Sequence, residues 1–262
     1  MSDQDQTKEP SHRDRIRALA SEGVDGLQRT IAALPESRER GYLRQEQWKL
    51  SKVLGAYQEY FSEAGQDEYI DATLLNGMRD GVFVEIGAFD GIRGSNTLFF
   101  EKFRGWTGLL VEASPLYHSW LVQNRPEMPI EQVAVGAEVG EADFVEITEG
   151  SYMMSGLLES LPPSTQASLN KGLLGHSRFI TVPTLPLEDL LRRHNLSQID
   201  LLSIDIEGGE LDALRNFPFD EFEIDIWTIE AYDTTGEIDR IMRAADYRLA
   251  CHIGADQVWI LR

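Results

Sequence analysis

VFVEIGAFDG (82–91), LLVEASP (109–115) and IDLLSIDIEGGE (199–210) are the stretches that carry the reading of the fold. Each opens with an almost unbroken apolar run of strand length and ends on acidic or small residues, the pattern of a parallel strand covered on both faces. IEQVAVG (130–136) and DIWTIEA (225–231) repeat it, with helical patterns between the runs. This rhythm, from Gly81 onward, predicts a doubly wound α/β domain with a mostly parallel sheet. The end of the chain differs. YRLAC (247–251) and QVWILR (257–262) are separated only by HIGAD, too short for a crossover helix, so they predict a hairpin that puts an antiparallel strand into the sheet.

Outward from this core, residues 1–14 lack apolar periodicity and read as a disordered leader. Ile16–Leu34, Tyr42–Phe61 and Asp67–Leu75 carry apolar residues at helical spacing and predict an N-terminal helical appendage. It serves either as cover for the main domain or as a dimerisation arm that makes a homo-oligomer. Between Thr148 and Val182 the strand rhythm breaks into Gly, Ser, Pro and amphipathic fragments, which read as a lid-like insertion over the strand ends.

The composition excludes several classes. The 262 residues hold 24 Lys plus Arg against 44 Asp plus Glu, a formal net charge of −20, with 42% hydrophobic residues and one cysteine. That charge repels phosphate backbones, and no basic stripe interleaved with aromatics reverses it, so nucleic acid is not an expected partner. No window reaches the ~18 consecutive apolar residues of a membrane span, and the polar start lacks the apolar stretch of a signal peptide. Cys251 has no partner for a disulfide and reads as a buried thiol in a reducing compartment, so the expected location is the cytoplasm.

In an open parallel sheet, ligands bind beyond the carboxyl ends of the strands. The first run closes on Glu85-Ile86-Gly87-Ala88-Phe89-Asp90-Gly91. Gly87 and Ala88 remove bulk where backbone meets a ligand, and Gly91 can turn the chain. Glu85 and Asp90 put negative charge where a G-x-G-x-x-G fingerprint would offer bare amides to a pyrophosphate. Glu112, 22 positions after Asp90, closes the second run, where an acid can accept hydrogen bonds from both hydroxyls of a ribose. A pocket that takes a ribose, avoids phosphate and tolerates a positive centre suits S-adenosylmethionine, and with it methyl transfer.

Four segments, EIGAFDG (85–91), LVEASP (110–115), TLPLEDLL (184–191) and above all IDIEGGE (204–210), resemble the FkbM family of S-adenosylmethionine-dependent methyltransferases. The resemblance implies a class I methyltransferase domain over 66–262, Rossmann-like, with a seven-stranded sheet and a reversed final strand; 1–65 would then be the leader and appendage. It implies Glu85, Gly87, Ala88, Asp90 and Gly91 around the methionine part of the cofactor and Glu112 on the ribose. Ala113 and Ser114 would flank the adenosine, and Ala134, in the third run, would lie near the adenine. Asn96 is either a helix cap or a cofactor contact.

Methyl transfer from a sulfonium is an in-line displacement, so the protein must align the acceptor and help remove its proton. Carboxylates at the fourth and fifth strand ends are the candidates: Asp205, Glu207, Glu230 and Asp233, with Asp205 also facing the cofactor. Glu207 and Glu210 flank Gly208-Gly209, where stabilising a helix N-terminus is the alternative role. Asp205 with Glu230 is an oxygen-only pair suited to Mg²⁺ as an additional cofactor. His176 and His252 are alternative bases. Tyr152, Met153, Met154, Leu157 and Leu158 predict a partly apolar acceptor pocket. The strand ends point only to the cofactor; the resemblance implies the expected function, O-methylation of a sugar, glycan precursor or polyketide-like metabolite, with a small-molecule or glycan acceptor as partner. The alternatives are N-methylation of an amino sugar or peptide, or a noncatalytic cofactor-binding module that recruits a partner.

Overall fold

The computed structural model describes residues 11–231 and 235–262; the leader before Ser11 and the candidate Asp233 lie outside them. The chain begins with α1 (His12–Ala33), α2 (Arg38–Leu54) and α3 (Gln66–Tyr69), then runs through β1 (Val82–Ile86), β2 (Thr107–Val111), α4 (Pro115–Asn124), β3 (Ile130–Glu131) and β4 (Ala134–Val135). There follow β5 (Gly140–Gly150), β6 (Gly156–Leu157), α5 (Pro163–Asn170), β7 (Gly175–Leu185), α6 (Leu187–Arg193) and β8 (Gln198–Ile204). The chain closes with α7 (Glu210–Arg215), β9 (Glu223–Glu230), α8 (Glu237–Ala244), β10 (Tyr247–Ile253) and β11 (Asp256–Leu261).

The main sheet has seven strands in the order β10-β11-β9-β8-β1-β2-β3. Strands β3, β2, β1, β8 and β9 are mutually parallel, and β11 runs antiparallel to both β9 and β10. The terminal hairpin therefore forms as expected, with its second strand driven between β9 and β10. This is the doubly wound, mostly parallel seven-stranded sheet that the sequence predicts. Alternation along β1 splits the core: Val84 and Ile86 join Val111, Leu202, Trp227 and Trp259 on one face, while Phe83 joins Leu110, Leu201 and Trp106 on the other.

Two sequence expectations change. The run IEQVAVG is not one strand: Ile130 and Glu131 pair with Leu110 and Val111 of the main sheet, whereas Ala134 and Val135 pair with β7 in a second, four-stranded sheet. The insertion expected over 148–182 is carried by a long antiparallel ribbon, β5 against β7, which starts before Thr148 and ends beyond Val182, with β6 and α5 between its two strands. Its alternation was masked by Glu146, a fully buried charge among Phe144, Val145 and Ile147. Glu146 is tolerated there because it accepts hydrogen bonds from the Ser114 hydroxyl (2.6 Å) and the Arg178 guanidinium.

The appendage packs on the sheet edge. Ser11 and Asp14 form a capping box, so residues 11–14 start a helix instead of belonging to a leader. Gly55, at φ +92°, stops α2 well before Phe61. α2 covers β10: Gly254 donates its amide to the Gly41 carbonyl (2.9 Å), Arg44 donates to the His252 carbonyl (2.7 Å), and the His252 amide donates to Glu36 (2.7 Å). Cys251 is buried, and burial pushes its thiol up to about 12. Among the described residues, no helix is long and apolar enough to cross a membrane.

One buried charge cluster ties the end of β1 to the layer beneath it. Glu85 accepts from the Ser95 hydroxyl (2.9 Å), the Asn96 amide (2.7 Å) and the Thr97 hydroxyl (2.6 Å). Arg125, with no exposed surface, lies 3.8 Å from Glu85, pairs with Glu101 and donates to the Gly91 carbonyl (3.1 Å). Truncating one member leaves the other charges buried and unpaired, at a cost of about 3 kcal/mol or more. Arg125→Leu is therefore expected to lower the urea midpoint of unfolding markedly; an unchanged midpoint would show that the cluster does not hold the fold.

Candidate active site

A cavity of about 300 Å³ opens at the carboxyl ends of β1, β2, β8 and β9, walled on one side by the second sheet. Its floor is the turn after β1. Gly87 and Ala88 both donate their amides to the Val111 carbonyl (3.0 and 2.9 Å), folding the turn back over β2. Gly87 sits at φ +85°, and an added Cβ would overlap the carbonyl oxygen of Asp205. Glycine is the residue that lets β1 and β8 approach so closely here.

Glu112 stands on the cavity wall. It is 6% exposed, and its two oxygens accept from the Phe89 amide (2.9 Å) and the Ser114 amide (2.7 Å). Burial pushes its carboxyl up to about 7, against the pull of those amides. Ala113, Ala134 and Phe144 continue the wall as an apolar surface, with Phe144 supplied by β5.

The far end of the cavity is acidic. Asp205, Glu207 and Glu230 each place an oxygen within 4.8 Å of the others. Burial first, and then the Asp205 charge, pushes Glu230 up to about 12; Asp205 is also raised by burial. Burial and the closeness of the two acids favour a proton on this pair. Among the described residues, Glu230 Oε2 has no hydrogen-bond partner. Glu207 is held at φ +57° before Gly208 at φ +112°, an unusual conformation for a side chain of its size. Glu210 holds this turn from behind: it accepts from the Ile206 and Gly208 amides (3.0 and 3.1 Å) and does not line the cavity.

Of the residues expected to hold the cofactor, Gly87, Glu112, Ala113, Ala134 and Asp205 line the cavity, as do the expected catalytic Glu207 and Glu230. Glu85, Ala88, Asp90, Gly91, Asn96 and Ser114 do not. Glu85 spends its oxygens on residues 95–97. Asp90 folds its own turn, accepting from the Ile92 and Arg93 amides (both 2.9 Å), and Gly91 at φ +77° packs on Leu121 and Arg125. Ser114 caps α4 through the Tyr117 amide (3.2 Å). Ala88 and Asn96 line a smaller side crevice instead. His176 is exposed on the ribbon and His252 is tied to Glu36; neither lines the cavity. Leu158 packs under the ribbon, while Tyr152, Met153, Met154 and Leu157 reach the cavity.

Phe89, Tyr117, Phe144 and Glu63 also line the site, and sequence reasoning did not pick them out. Phe89 packs edge-on against Tyr117 with centroids 4.6 Å apart. Only Phe89, within the turn motif, carried a sequence signal.

The model described as the Methyltransferase FkbM domain matches residues 85–249. The chain belongs to the FkbM methyltransferase family. An FkbM methyltransferase structure from Methylobacillus flagellatus KT is 14% identical with a TM-score of 0.48, covering 95% of this chain and 62% of that one. The chain thus spans under two thirds of that relative's length. A TehB-like S-adenosylmethionine-dependent methyltransferase from Corynebacterium glutamicum is 13% identical (TM-score 0.38; 82% of this chain, 95% of that one). Fibrillarin from Aeropyrum pernix, in complex with natively bound S-adenosylmethionine, is 12% identical (TM-score 0.39; 77% and 74%). No curated protein matches the chain.

The raised carboxyl of Glu112 makes a stability prediction. Its folded pKa lies above the unfolded value, so its contribution is complete below about pH 4.5 and is lost as pH rises through about 7. The change amounts to roughly 3 kcal/mol. The wild type without cofactor is expected to melt progressively lower from pH 5 to 8, and Glu112→Gln to lose less over that range. Parallel melting curves for the two proteins would contradict it.

Proposed function

We propose that the chain is an S-adenosylmethionine-dependent O-methyltransferase acting on a hydroxyl of a sugar, glycan precursor or polyketide-like metabolite. The observation that carries the reading is Glu112, held by two backbone amides on the wall of a cavity whose other end is the Asp205–Glu207–Glu230 group. Glu112 would take the ribose hydroxyls, Ala113, Ala134 and Phe144 the adenine face, and the Gly87 turn the methionine part. The cofactor, when bound, supplies an electrophilic methyl group.

The chain's own task is then to position the acceptor and hold its proton. Burial raises the Asp205 carboxyl, which makes it a better proton acceptor than an ordinary aspartate. Glu230, raised by burial and by the Asp205 charge, stands beside it. Tyr152, Met153, Met154 and Leu157 give the acceptor an apolar flank. A lone buried Cys251 supports a reducing compartment, which we read as the cytoplasm.

A second reading rests on Glu230 Oε2, which lacks a partner. The three carboxylates form an all-oxygen donor set of the kind Mg²⁺ takes, with Glu207 joining Asp205 and Glu230. A metal there would displace a proton from the pair and lower the acceptor's pKa. Turnover lost on EDTA treatment and restored by Mg²⁺ would establish it; turnover unaffected by EDTA would exclude it. N-methylation of an amino sugar or peptide is separated by NMR of the product, and a noncatalytic module by absence of S-adenosylhomocysteine.

Isothermal titration is expected to show S-adenosylmethionine binding to the wild type, and Glu112→Ala is expected to weaken it about tenfold or more. No binding by the wild type, or unchanged affinity in the variant, would overturn the reading. With a panel of glycosides as acceptors, Asp205→Asn is expected to lower S-adenosylhomocysteine release about 100-fold. Undiminished turnover would remove Asp205 from the role of base.

A further inference from the structure

The stretch between α2 and α3 brings a carboxylate to the cavity from outside the family domain. Glu63 precedes residues 85–249 yet lines the cavity beside Gly87, Met153 and Asp205. Its position is fixed from behind. The Asp67 carboxylate, with no exposed surface, accepts from the amides of Phe61 (2.6 Å) and Ser62 (3.2 Å) and from the Ser62 hydroxyl. Ser62 bridges to Gly94, and Gln66 donates to Asp256 (2.9 Å). At Gly94 an added Cβ would come within 3.2 Å of Glu63 Cγ and 3.0 Å of Met153 Cε, so Glu63 lies directly on that turn. The Glu63 side chain is itself exposed and makes no hydrogen bond or ion pair among the described residues.

Beneath the same turn lies the side crevice, about 20 Å³, lined by Gly87, Gly94, Asn96, Met153, Ser203 and Asp205. Asn96 is 5% exposed; its Nδ2 donates to the Ser203 hydroxyl (3.0 Å), and its Oδ1 has no partner. An unmet buried acceptor is costly, so a donor belongs in the crevice, which holds about one water-sized group. Arg93, at the crevice rim, is not that donor: it pairs with Asp90 (2.7 Å) and lies over the Phe89 ring. Among the described residues, the main cavity is lined by five carboxylates, Glu63, Glu112, Asp205, Glu207 and Glu230, and by no Lys, Arg or His. A small cation that donates hydrogen bonds fits both the orphaned oxygen and the charge.

We propose that Glu63, with Asn96 Oδ1, receives the primary ammonium of the methionine part of S-adenosylmethionine, so that the segment before the family domain completes the cofactor site. The inference rests on the cofactor reading above. It also restores Asn96 as a cofactor contact, through its side chain.

The test uses the full chain, Glu63→Gln, and two nucleosides: S-adenosylmethionine and 5′-methylthioadenosine, which lacks the ammonium. Glu63 is exposed and without a partner, so the variant should melt as the wild type does. Titration is expected to show S-adenosylmethionine bound about tenfold more weakly by Glu63→Gln, and 5′-methylthioadenosine bound within about twofold of wild type. Unchanged S-adenosylmethionine affinity, including the case in which only the acceptor's KM rises, would overturn the proposal. Equal losses for both nucleosides would overturn it too, by showing a merely structural effect. A wild type that binds neither nucleoside would refute the cofactor reading itself.

Discussion

The pairing of Glu85 with Arg125 is the constraint from which the rest of the site follows. A carboxylate and a guanidinium, each almost without exposed surface, sit 3.8 Å apart under the end of the central strand. Taking both from water is costly and is offset only if every remaining lone pair and N–H finds a partner. The partners are residues 95–97 on one side, and Glu101 and the Gly91 carbonyl on the other. Meeting that requirement fixes the turn after β1, brings Asn96 under it and leaves Gly87 against Asp205.

Acids of the same kind thus do different work at neighbouring strand ends, and what separates them is which groups reach their oxygens first. Glu85, Asp90, Glu146 and Glu210 have theirs filled by nearby amides, hydroxyls or guanidinium groups and serve as architecture. Glu112 is in between: amides hold it, yet it still faces the cavity. Asp205, Glu207 and Glu230 crowd together around that space. Burial first, and then the charge of neighbouring carboxylates, raises Asp205 and Glu230 above ordinary carboxylates.

The alternation of apolar runs with helical patterns made the strands legible, and chain direction placed Gly87, Glu112, Asp205 and Glu230 at their carboxyl ends. Hydrophobic periodicity failed where a buried charge interrupted it: Glu146, among Phe144, Val145 and Ile147, hid β5. It failed again at Gln132–Val133, where the chain crosses from one sheet to the other inside what reads as one strand. The reach of Glu63 into the site was invisible because it depends on Asp67 and on the Ser62–Gly94 bridge, which join segments about thirty residues apart.

The order of short-range preferences along the chain determined by itself that this protein is a doubly wound α/β domain with an acid-rimmed, glycine-opened ligand site, because strand length, apolar alternation and turn residues act over a few positions. Only the tertiary structure decided which acids face the cavity, which are raised by burial, and where β11 inserts. Those outcomes depend on partners brought together from distant segments, and a side chain's charge and hydrogen bonds are set by whatever surrounds it once water has been excluded.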